Sequence, residues 1–357
     1  MAARAVIRVD GSTRLGMGHI MRCLAVADAL RRRAGVESIF LSKRFEPAAL
    51  GVIREQGYRL EPLMATPLSE GDVRQTQESL QRHAARLLIT DLCHAEALED
   101  RARLVRYHRR LRERAFTLLF TGGMSVDWPA DIIVSPYFRR RYPAGIRSSS
   151  VRLTGPAYAV FRREFLAAGR RARRIARKAR RVLITIGGSD ELGLTTRILD
   201  ALQRLPEPRP EVRVIIGVTY APALRARVLQ QLRDYDGVSS MLAHNINMAS
   251  AMSWADLAVI GDGLTKYEAA LTGTPSVTLT RRDREDRLSR QFRWSGTSVV
   301  IERAEAASPR RLSAVIGRVL NDPGRRARMS RRGRRLIDGR GVERIIETIP
   351  KEILHGR

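Results

Sequence analysis

The sequence AVIRVDGSTRLGMGHIMRCLAVADAL, residues 5–30, places a strand, a loop and a helix in the order typical of parallel α/β proteins. The β-branched run Ala5–Val9 predicts a buried strand, and the glycines after it predict a loop. Apolar side chains then recur at the spacing of one helix face, at Ile20, Leu24, Ala27 and Leu30. They predict a helix from about His19 to Arg33.

Short apolar strands alternate with amphipathic helices twice along the chain, once up to residue 134 and again from residue 181. The further strands expected in the first run are Val36–Leu41, Tyr58–Glu61, Leu87–Thr90, Phe116–Thr121 and Asp131–Val134. Those expected in the second run are Arg181–Ile186, Val212–Gly217, Asp256–Ile260 and Ser276–Leu279. Further helices are expected at Glu46–Gln56, Ser69–Ala84, Ala95–Arg112, Leu194–Arg204, Pro222–Asp234, Ile246–Trp254, Leu264–Thr272 and Asp283–Arg293. Each run predicts a doubly wound domain whose parallel sheet is covered by helices on both faces.

The chain has 357 residues, a length that suits two domains. A boundary is expected where a Gly-Pro pair at Gly155 precedes a strongly charged segment. We therefore predict an N-terminal domain over 1–154, a linker over 155–174, a C-terminal domain over 175–340 and a final helix over 341–357.

The composition is that of a globular protein, with 44% hydrophobic and 29% charged residues. It excludes a disordered or coiled-coil chain, and no apolar run approaches the roughly 18–20 residues that span a bilayer. The first ten residues lack the apolar core of a secretory signal. Two cysteines, Cys23 and Cys93, exclude a disulfide framework and a zinc site built on CxxC pairs. These features predict a cytoplasmic protein.

The chain is strongly basic, with 65 Lys and Arg against 37 Asp and Glu, a formal net charge of +28. Residues 170–181 (RRARRIARKARR) and 325–335 (RRARMSRRGRR) concentrate this charge. This positive charge has three possible interpretations. The first is arginine on solvated helix faces. The second is attraction to anionic substrates or to the inner face of an acidic membrane, and the third is nucleic-acid binding. Aromatic residues make up only 5% and are not interleaved with the basic stretches, which argues against nucleic acid.

The loop after the first strand is a candidate ligand site. Gly16 and Gly18 allow the backbone to approach a ligand, but their spacing is not GxGxxG, so a nicotinamide or flavin site is poorly supported. His19 lies at the helix N-terminus, where the helix dipole and Arg22 favour its neutral form, and a neutral imidazole can act as a general base. The alternative is a structural role, as a helix cap or as a partner of Asp10.

Two loops of the second run are candidate phosphate sites. The first consists of Gly187, Gly188, Ser189 and Asp190, and it suits a diphosphate contact. The alternative is a tight turn in which Asp190 caps the next helix. The second loop includes Gly263, Leu264 and Thr265. Glu268, one turn into the helix that follows, can bind two ribose hydroxyls, or it is a solvated surface glutamate.

Four segments together resemble the UDP-2,4-diacetamido-2,4,6-trideoxy-β-L-altropyranose hydrolases, which act in pseudaminic acid biosynthesis. They are residues 10–30, 153–165 (LTGPAYAVFRREF), 186–190 (IGGSD) and 261–277 (GDGLTKYEAALTGTPSV). They occur in the family's order, and the first is the most specific. The resemblance implies a GT-B fold, similar to that of the glycosyltransferase that makes lipid II. It also implies a UDP-sugar in a cleft between two Rossmann-like domains, with no metal or redox cofactor.

The resemblance also implies roles for individual residues. His19 would position or activate water, and Asp10 would orient His19 or a sugar hydroxyl. The substrate side would include Gly16, Gly18, Arg22, Asp91 and Tyr158. The nucleotide would be bound by Gly187, Gly188, Ser189, Asp190, Gly263, Leu264, Thr265 and Glu268.

The sequence departs from the family on the sugar side. Thr121-Gly122-Gly123 replaces an Asp-Asp pair after the fifth strand, and residues 281–286 (RRDRED) stand where the family has Glu-Asn-Gln or Asn-Gln. Asp91 is retained, but Leu92, Cys93 and His94 follow it in place of an aromatic residue. Nucleotide binding is therefore better specified than the identity of the sugar.

The sequence thus predicts a metal-independent nucleotide-sugar hydrolase that releases UDP and free sugar in nonulosonic acid or surface-glycan biosynthesis. One alternative is a GT-B glycosyltransferase that passes the sugar to a sugar or lipid acceptor. A second is a non-catalytic protein that binds a nucleotide-sugar.

Overall fold

The computed structural model of the chain describes residues 3–11, 17–43, 47–92, 100–122, 127–137, 150–217, 219–242, 246–280 and 291–355. The chain divides into two compact units, residues 1–162 with 340–357, and residues 163–339. The boundary between residues 162 and 163 falls inside the expected linker. At the boundary between residues 339 and 340 the chain returns to the first unit, although the sequence pattern predicts only a final helix there.

The first unit contains a seven-stranded parallel sheet. Its strands are β1 (Arg4–Val9), β2 (Glu37–Lys43), β3 (Arg59–Leu63), β4 (Leu87–Asp91), β5 (Phe116–Phe120), β6 (Ile132–Ser135) and β7 (Val151–Thr154). They lie in the order β3-β2-β1-β4-β5-β6-β7. Up to residue 162, the α-helices among the described residues are α1 (Gly18–Ala34), α2 (Pro47–Glu55), α3 (Glu70–Arg82) and α4 (Arg101–Arg112), and a 3₁₀ helix spans Pro156–Tyr158.

The second unit contains a six-stranded parallel sheet with the same winding. Its strands are β8 (Arg181–Thr185), β9 (Glu211–Ile215), β10 (Ser239–Leu242), β11 (Leu257–Gly261), β12 (Ser276–Leu279) and β13 (Ser298–Ile301). They lie in the order β10-β9-β8-β11-β12-β13. Among the described residues, its α-helices include α5 (Arg163–Arg170), α6 (Leu194–Gln203), α7 (Pro222–Arg233), α8 (Met248–Trp254), α9 (Thr265–Thr272), α10 (Pro309–Leu320) and α11 (Pro323–Leu336), and residues 291–294 are also helical. The prediction of two doubly wound domains is therefore confirmed.

Alternate residues of the central strands pack into different cores, because successive side chains of a strand point to opposite faces. Ile7 and Ile89 belong to the core that includes α1, whereas Val6 and Leu88 belong to the core that includes Tyr107 of α4. Both faces of the sheet are thus buried, which explains the continuous apolar character of these strands.

The chain completes the first unit with two short helices, α12 (Gly341–Glu347) and α13 (Lys351–His355). Val342, Ile345 and Ile346 are buried in the core of α1. This apolar contact is the physical reason that the segment belongs to the first unit.

Two arginines of the basic stretches have structural roles. Arg173 donates to the carbonyl oxygen of Met252 at 3.0 Å and to Oγ1 of Thr274 at 2.9 Å, and burial lowers its pKa to about 10. The buried Arg326 of α11 donates to the carbonyl oxygen of Ala176 at 2.8 Å. Part of the basic composition therefore joins chain segments within the second unit.

The expected helix Asp283–Arg293 and the start of the expected helix Ala95–Arg112 lie outside the described residues, apart from 291–293. None of the helices in the described part of the chain is long and apolar enough to cross a membrane.

Candidate active site

Asp91, the last residue of β4, is buried and binds two residues of α1. Its Oδ1 lies 2.6 Å from Nδ1 of His19 and accepts a hydrogen bond from Arg22 at 2.8 Å. Its Oδ2 accepts a second bond from Arg22, at 2.7 Å. Residues 19 and 22 are three apart on the helix, so both side chains reach one carboxylate. The cluster lies where β1 and β4 are neighbours, the point at which a doubly wound sheet binds its ligands.

The charge of Asp91 determines which nitrogen of His19 carries a proton. Burial would raise the pKa of Asp91, but Arg22 and His19 outweigh burial and lower it to about 2. Because an ionised carboxylate only accepts hydrogen bonds, Nδ1 of His19 is the donor. In the neutral imidazole Nε2 then carries the lone pair, on a side chain that is 19% exposed. A histidine oriented by a carboxylate in this way has the arrangement of a general base.

The neighbours of Asp91 stabilise its charge. Arg22 lies with its guanidinium 5.0 Å from the centre of the Phe120 ring. Burial would lower the pKa of Arg22, but Asp91 raises it above its ordinary value, so Arg22 remains charged. Burial raises the pKa of the Cys23 thiol, whose Sγ lies 3.9 Å from Oδ2 of Asp91. Cys23 is therefore a protonated neighbour and not a nucleophile.

We expect the stability that Asp91 provides to disappear in acid. Its pKa is lowered on folding, so its contribution is complete above the unfolded-state pKa near 4 and is lost as the pH falls towards about 2. The difference in free energy of unfolding between the parent and Asp91→Asn should be constant above about pH 5 and shrink below about pH 4. Urea unfolding at several pH values measures it. A difference that stays constant down to pH 3 would contradict the assignment.

Of the two roles expected for Asp10, orienting His19 or a sugar hydroxyl, the structure does not show the contact with His19. Asp10 accepts hydrogen bonds from Arg8 at 2.6 and 2.9 Å and from the backbone N–H of Lys43 at 2.8 Å. Arg8 is fully buried, and a buried guanidinium requires a counter-charge, which Asp10 and Asp72 supply. Asp10 thus links the ends of β1 and β2, and His19 is bound by Asp91 instead.

The other residues expected on the substrate side include Gly16, Gly18 and Tyr158. Gly18 begins α1 directly before His19, whereas Gly16 lies outside the described residues. The structure does not bring Tyr158 to the Asp91 cluster. Tyr158 follows β7, three strands away from β4 in the sheet, and packs on the core of the first unit.

The loop after β8 is held by its own backbone contacts. Gly187 has a positive φ of 91°, and a Cβ at Gly217, after β9, would overlap the carbonyl oxygens of Gly187 and Gly188. Asp190 accepts from the backbone N–H groups of Leu194 and Thr195, each at 2.8 Å. Its carboxylate therefore occupies the N-terminus of α6, as the capping alternative predicts, and a phosphate cannot take these two amides.

The loop after β11 is fixed by an ion pair that was not predicted from the sequence. Lys266 is buried and donates to Oδ1 of Asp262 at 2.6 Å and to its carbonyl oxygen at 2.8 Å. The i, i+4 spacing of these two residues across a helix start is the sequence signal that could have revealed them. The pair holds Gly263 and Leu264 at the N-terminus of α9, and Glu268 lies in the first turn of that helix.

A cavity of about 80 Å³ joins the two loops of the second unit. Its lining includes Ser189, Asp190, Gly261 and Asp262. It lies where β8 and β11 are neighbours, which is the ligand-binding point of this sheet. Nowhere in the described ranges do three His, Cys, Asp or Glu side chains come together as a metal site would require.

Comparison with known proteins identifies a relative that matches nearly the whole chain, although no family model matches it. The spore coat polysaccharide biosynthesis protein SpsG of Bacillus subtilis (strain 168) is 23% identical over 343 residues, 95% of this chain and 95% of the Bacillus protein.

Two solved structures show the same architecture. MurG of Acinetobacter baumannii has a TM-score of 0.62 at 14% identity, and the match covers 97% of this chain and 99% of MurG. A UDP-GlcNAc 2-epimerase from Neisseria meningitidis has a TM-score of 0.65 at 11% identity, and the match covers 98% and 99% of the two chains. Together with the two doubly wound sheets, these likenesses establish a two-domain GT-B fold.

Proposed function

We propose that the chain hydrolyses a UDP-linked amino-deoxysugar, releasing UDP and the free sugar. The observation that carries the proposal is the buried, ionised Asp91, which holds Nδ1 of His19 and leaves Nε2 as the proton acceptor. Nε2 would accept a proton from water while the water oxygen bonds to the anomeric carbon. The bond between that carbon and the diphosphate oxygen would break, and UDP would leave with the electron pair. The proton on His19 would then pass to solvent.

The second unit would bind the nucleotide. The loops after β8 and β11 meet at one cavity, and the N-terminus of α9 offers backbone N–H groups to a diphosphate. Such preorganised donors stabilise the charge that grows on a leaving diphosphate. Two comparisons support a nucleotide-sugar as the substrate class: the solved Neisseria structure contains UDP-GlcNAc, and the Bacillus relative is named for polysaccharide biosynthesis.

The proposal is tested by incubating the protein with a panel of UDP-sugars and following free sugar and UDP by NMR. Release of both products without any acceptor is the expected result. Release only when a sugar or lipid acceptor is added would favour a glycosyltransferase, the alternative that the likeness to MurG supports. UDP binding without turnover under either condition would indicate a non-catalytic protein.

We expect Glu268→Ala to weaken UDP binding about ten- to a hundredfold. The reason is that losing a hydrogen bond to a charged group costs about 1.5–3 kcal/mol. Calorimetry measures the affinity. Glu211→Ala is the matched control, since Glu211 is the first residue of β9 and lies at the amino end of that strand, whereas the two loops follow carboxyl ends. Equal UDP affinity in the parent and Glu268→Ala would remove Glu268 from the site.

A further inference from the structure

A second cavity in the second unit, of about 490 Å³, lies beside the edge strand β13. Its charged lining residues are Arg293, Arg325, Arg328, Arg332 and Asp322. It shares no lining residue with the cavity between the two loops. The lining includes Ser298, the first residue of β13. The loops after β8 and β11, in contrast, follow the carboxyl ends of their strands. The proposed nucleotide site therefore does not account for it.

The cavity has an excess of positive charge. Arg325, Arg328 and Arg332 are spaced three and four residues apart, so they lie on one face of α11. The carboxylate of Asp322 accepts from the backbone N–H of Arg325 at 2.7 Å and lies 4.0 Å from Arg328. Arg293 pairs with Glu302 at 3.0 Å, outside the lining. Within the described residues, neither Arg325 nor Arg332 has a carboxylate within ion-pair distance, so the cavity is electrostatically suited to an anion.

The local backbone makes room for one of these guanidinium groups. Gly296 has a positive φ of 67°, and a Cβ there would overlap the side chain of Arg332. The close approach places the Arg332 guanidinium against the wall of the cavity. Guanidinium groups bind phosphate oxygens in bidentate geometry, so a phosphate is the anion that this lining fits best.

Trp294 lies between two lining residues of the cavity, Arg293 and Gly296, and is 68% exposed. The other exposed large hydrophobic side chains in the described part of the chain are aliphatic. An indole is stabilised at a membrane–water interface, where its ring contacts lipid and its N–H contacts water. A single exposed aromatic does not form the series of stacking contacts that single-stranded nucleic acid requires.

We propose that the cavity and Trp294 form a docking surface for an anionic phospholipid membrane. Arg325, Arg328 and Arg332 bind headgroup phosphates, and the Trp294 indole enters the interfacial layer. The contact is peripheral and independent of the proposed hydrolysis, because it uses none of the residues assigned to the nucleotide or to water activation.

The test is flotation of the protein with phosphatidylcholine vesicles, with and without phosphatidylglycerol, at low salt. We expect binding only to the anionic vesicles. R325Q/R328Q/R332Q should lose about a hundredfold in binding, since each basic residue near such a surface contributes about 1 kcal/mol, or about fivefold. The control R225Q/R227Q/R233Q removes the same charge from exposed positions of α7 and should retain most of the binding.

Trp294→Ala should bind more weakly and lose the blue shift of tryptophan emission on vesicles. Circular dichroism verifies that each variant is folded.

Turnover of a soluble UDP-sugar should be unchanged in all these variants, so failure of the docking surface and failure of the proposed hydrolysis are distinguishable. Three results would overturn the proposal: no binding of the parent to anionic vesicles, equal losses in the two triple variants, or saturable binding of pyrophosphate or RNA without vesicle binding. The last result would assign the cavity to a free phosphate compound or to nucleic acid.

Discussion

Replacing His19 with Asn or Ala is expected to lower kcat about 10²–10⁴-fold, the usual cost of removing a positioned general base. KM for the UDP-sugar should change little, because the nucleotide is proposed to bind to the second unit. Steady-state kinetics of the parent and the variants provides both constants.

A matched control exists in the same unit. His83 forms the other histidine–carboxylate pair of the described residues, with Nε2 2.7 Å from Oε1 of Glu61. His83 lies before the amino end of β4, whereas Asp91 is at the carboxyl end of that strand. His83→Asn should reduce stability and leave kcat intact. A folded, UDP-binding His19→Asn protein with nearly full kcat would make His19 structural and the mechanism wrong.

Replacing Asp91 with Asn is expected to affect both folding and catalysis. Arg22 would be left buried without its counter-charge, and breaking a buried ion pair costs about 3–5 kcal/mol. The amide would also no longer hold the Nδ1–H form of His19, and loss of such an orienting carboxylate lowers kcat by up to about 10⁴ in serine proteases. Chemical unfolding and kcat measured below the melting transition separate the two effects.

Two comparisons test whether Asp91 acts through His19. The double variant His19→Asn/Asp91→Asn should lose little more kcat than either single variant, since residues that act as one unit are not additive. Asp28→Asn removes a partly exposed partner of Arg32 on the same helix and should cost at most about 1 kcal/mol, with normal kcat. Full additivity of the two kcat losses would show that Asp91 and His19 act independently.

The sequence predicted the winding of both sheets but missed the strands β7, β10 and β13. All three are four-residue edge strands. An edge strand pairs on one side only and is partly exposed, so its sequence need not be continuously apolar. Val-Arg-Leu-Thr in β7 and Ser-Ser-Met-Leu in β10 therefore lack the pattern that identified the central strands.

The candidate site was predictable in its residue types but not in its pairings. Asp10 and Asp91 both lie at strand ends, and nothing in the linear sequence states which of them faces His19. Two facts of the fold decide it: β4 lies beside β1, and the buried Arg8 takes Asp10 as its partner. Similarly, the capping role of Asp190 depends on the left-handed backbone at that residue, which is visible only in three dimensions.

The return of residues 340–357 to the first unit affects how the protein is made. A ribosome releases the chain from its N-terminus, so β1–β7 emerge long before Val342, Ile345 and Ile346, which fill the core against α1. The first unit can reach its final packing only after the whole second unit has been synthesised. Until then an apolar surface on α1 stays open to water, and a nascent chain in this state is a natural client for a chaperone.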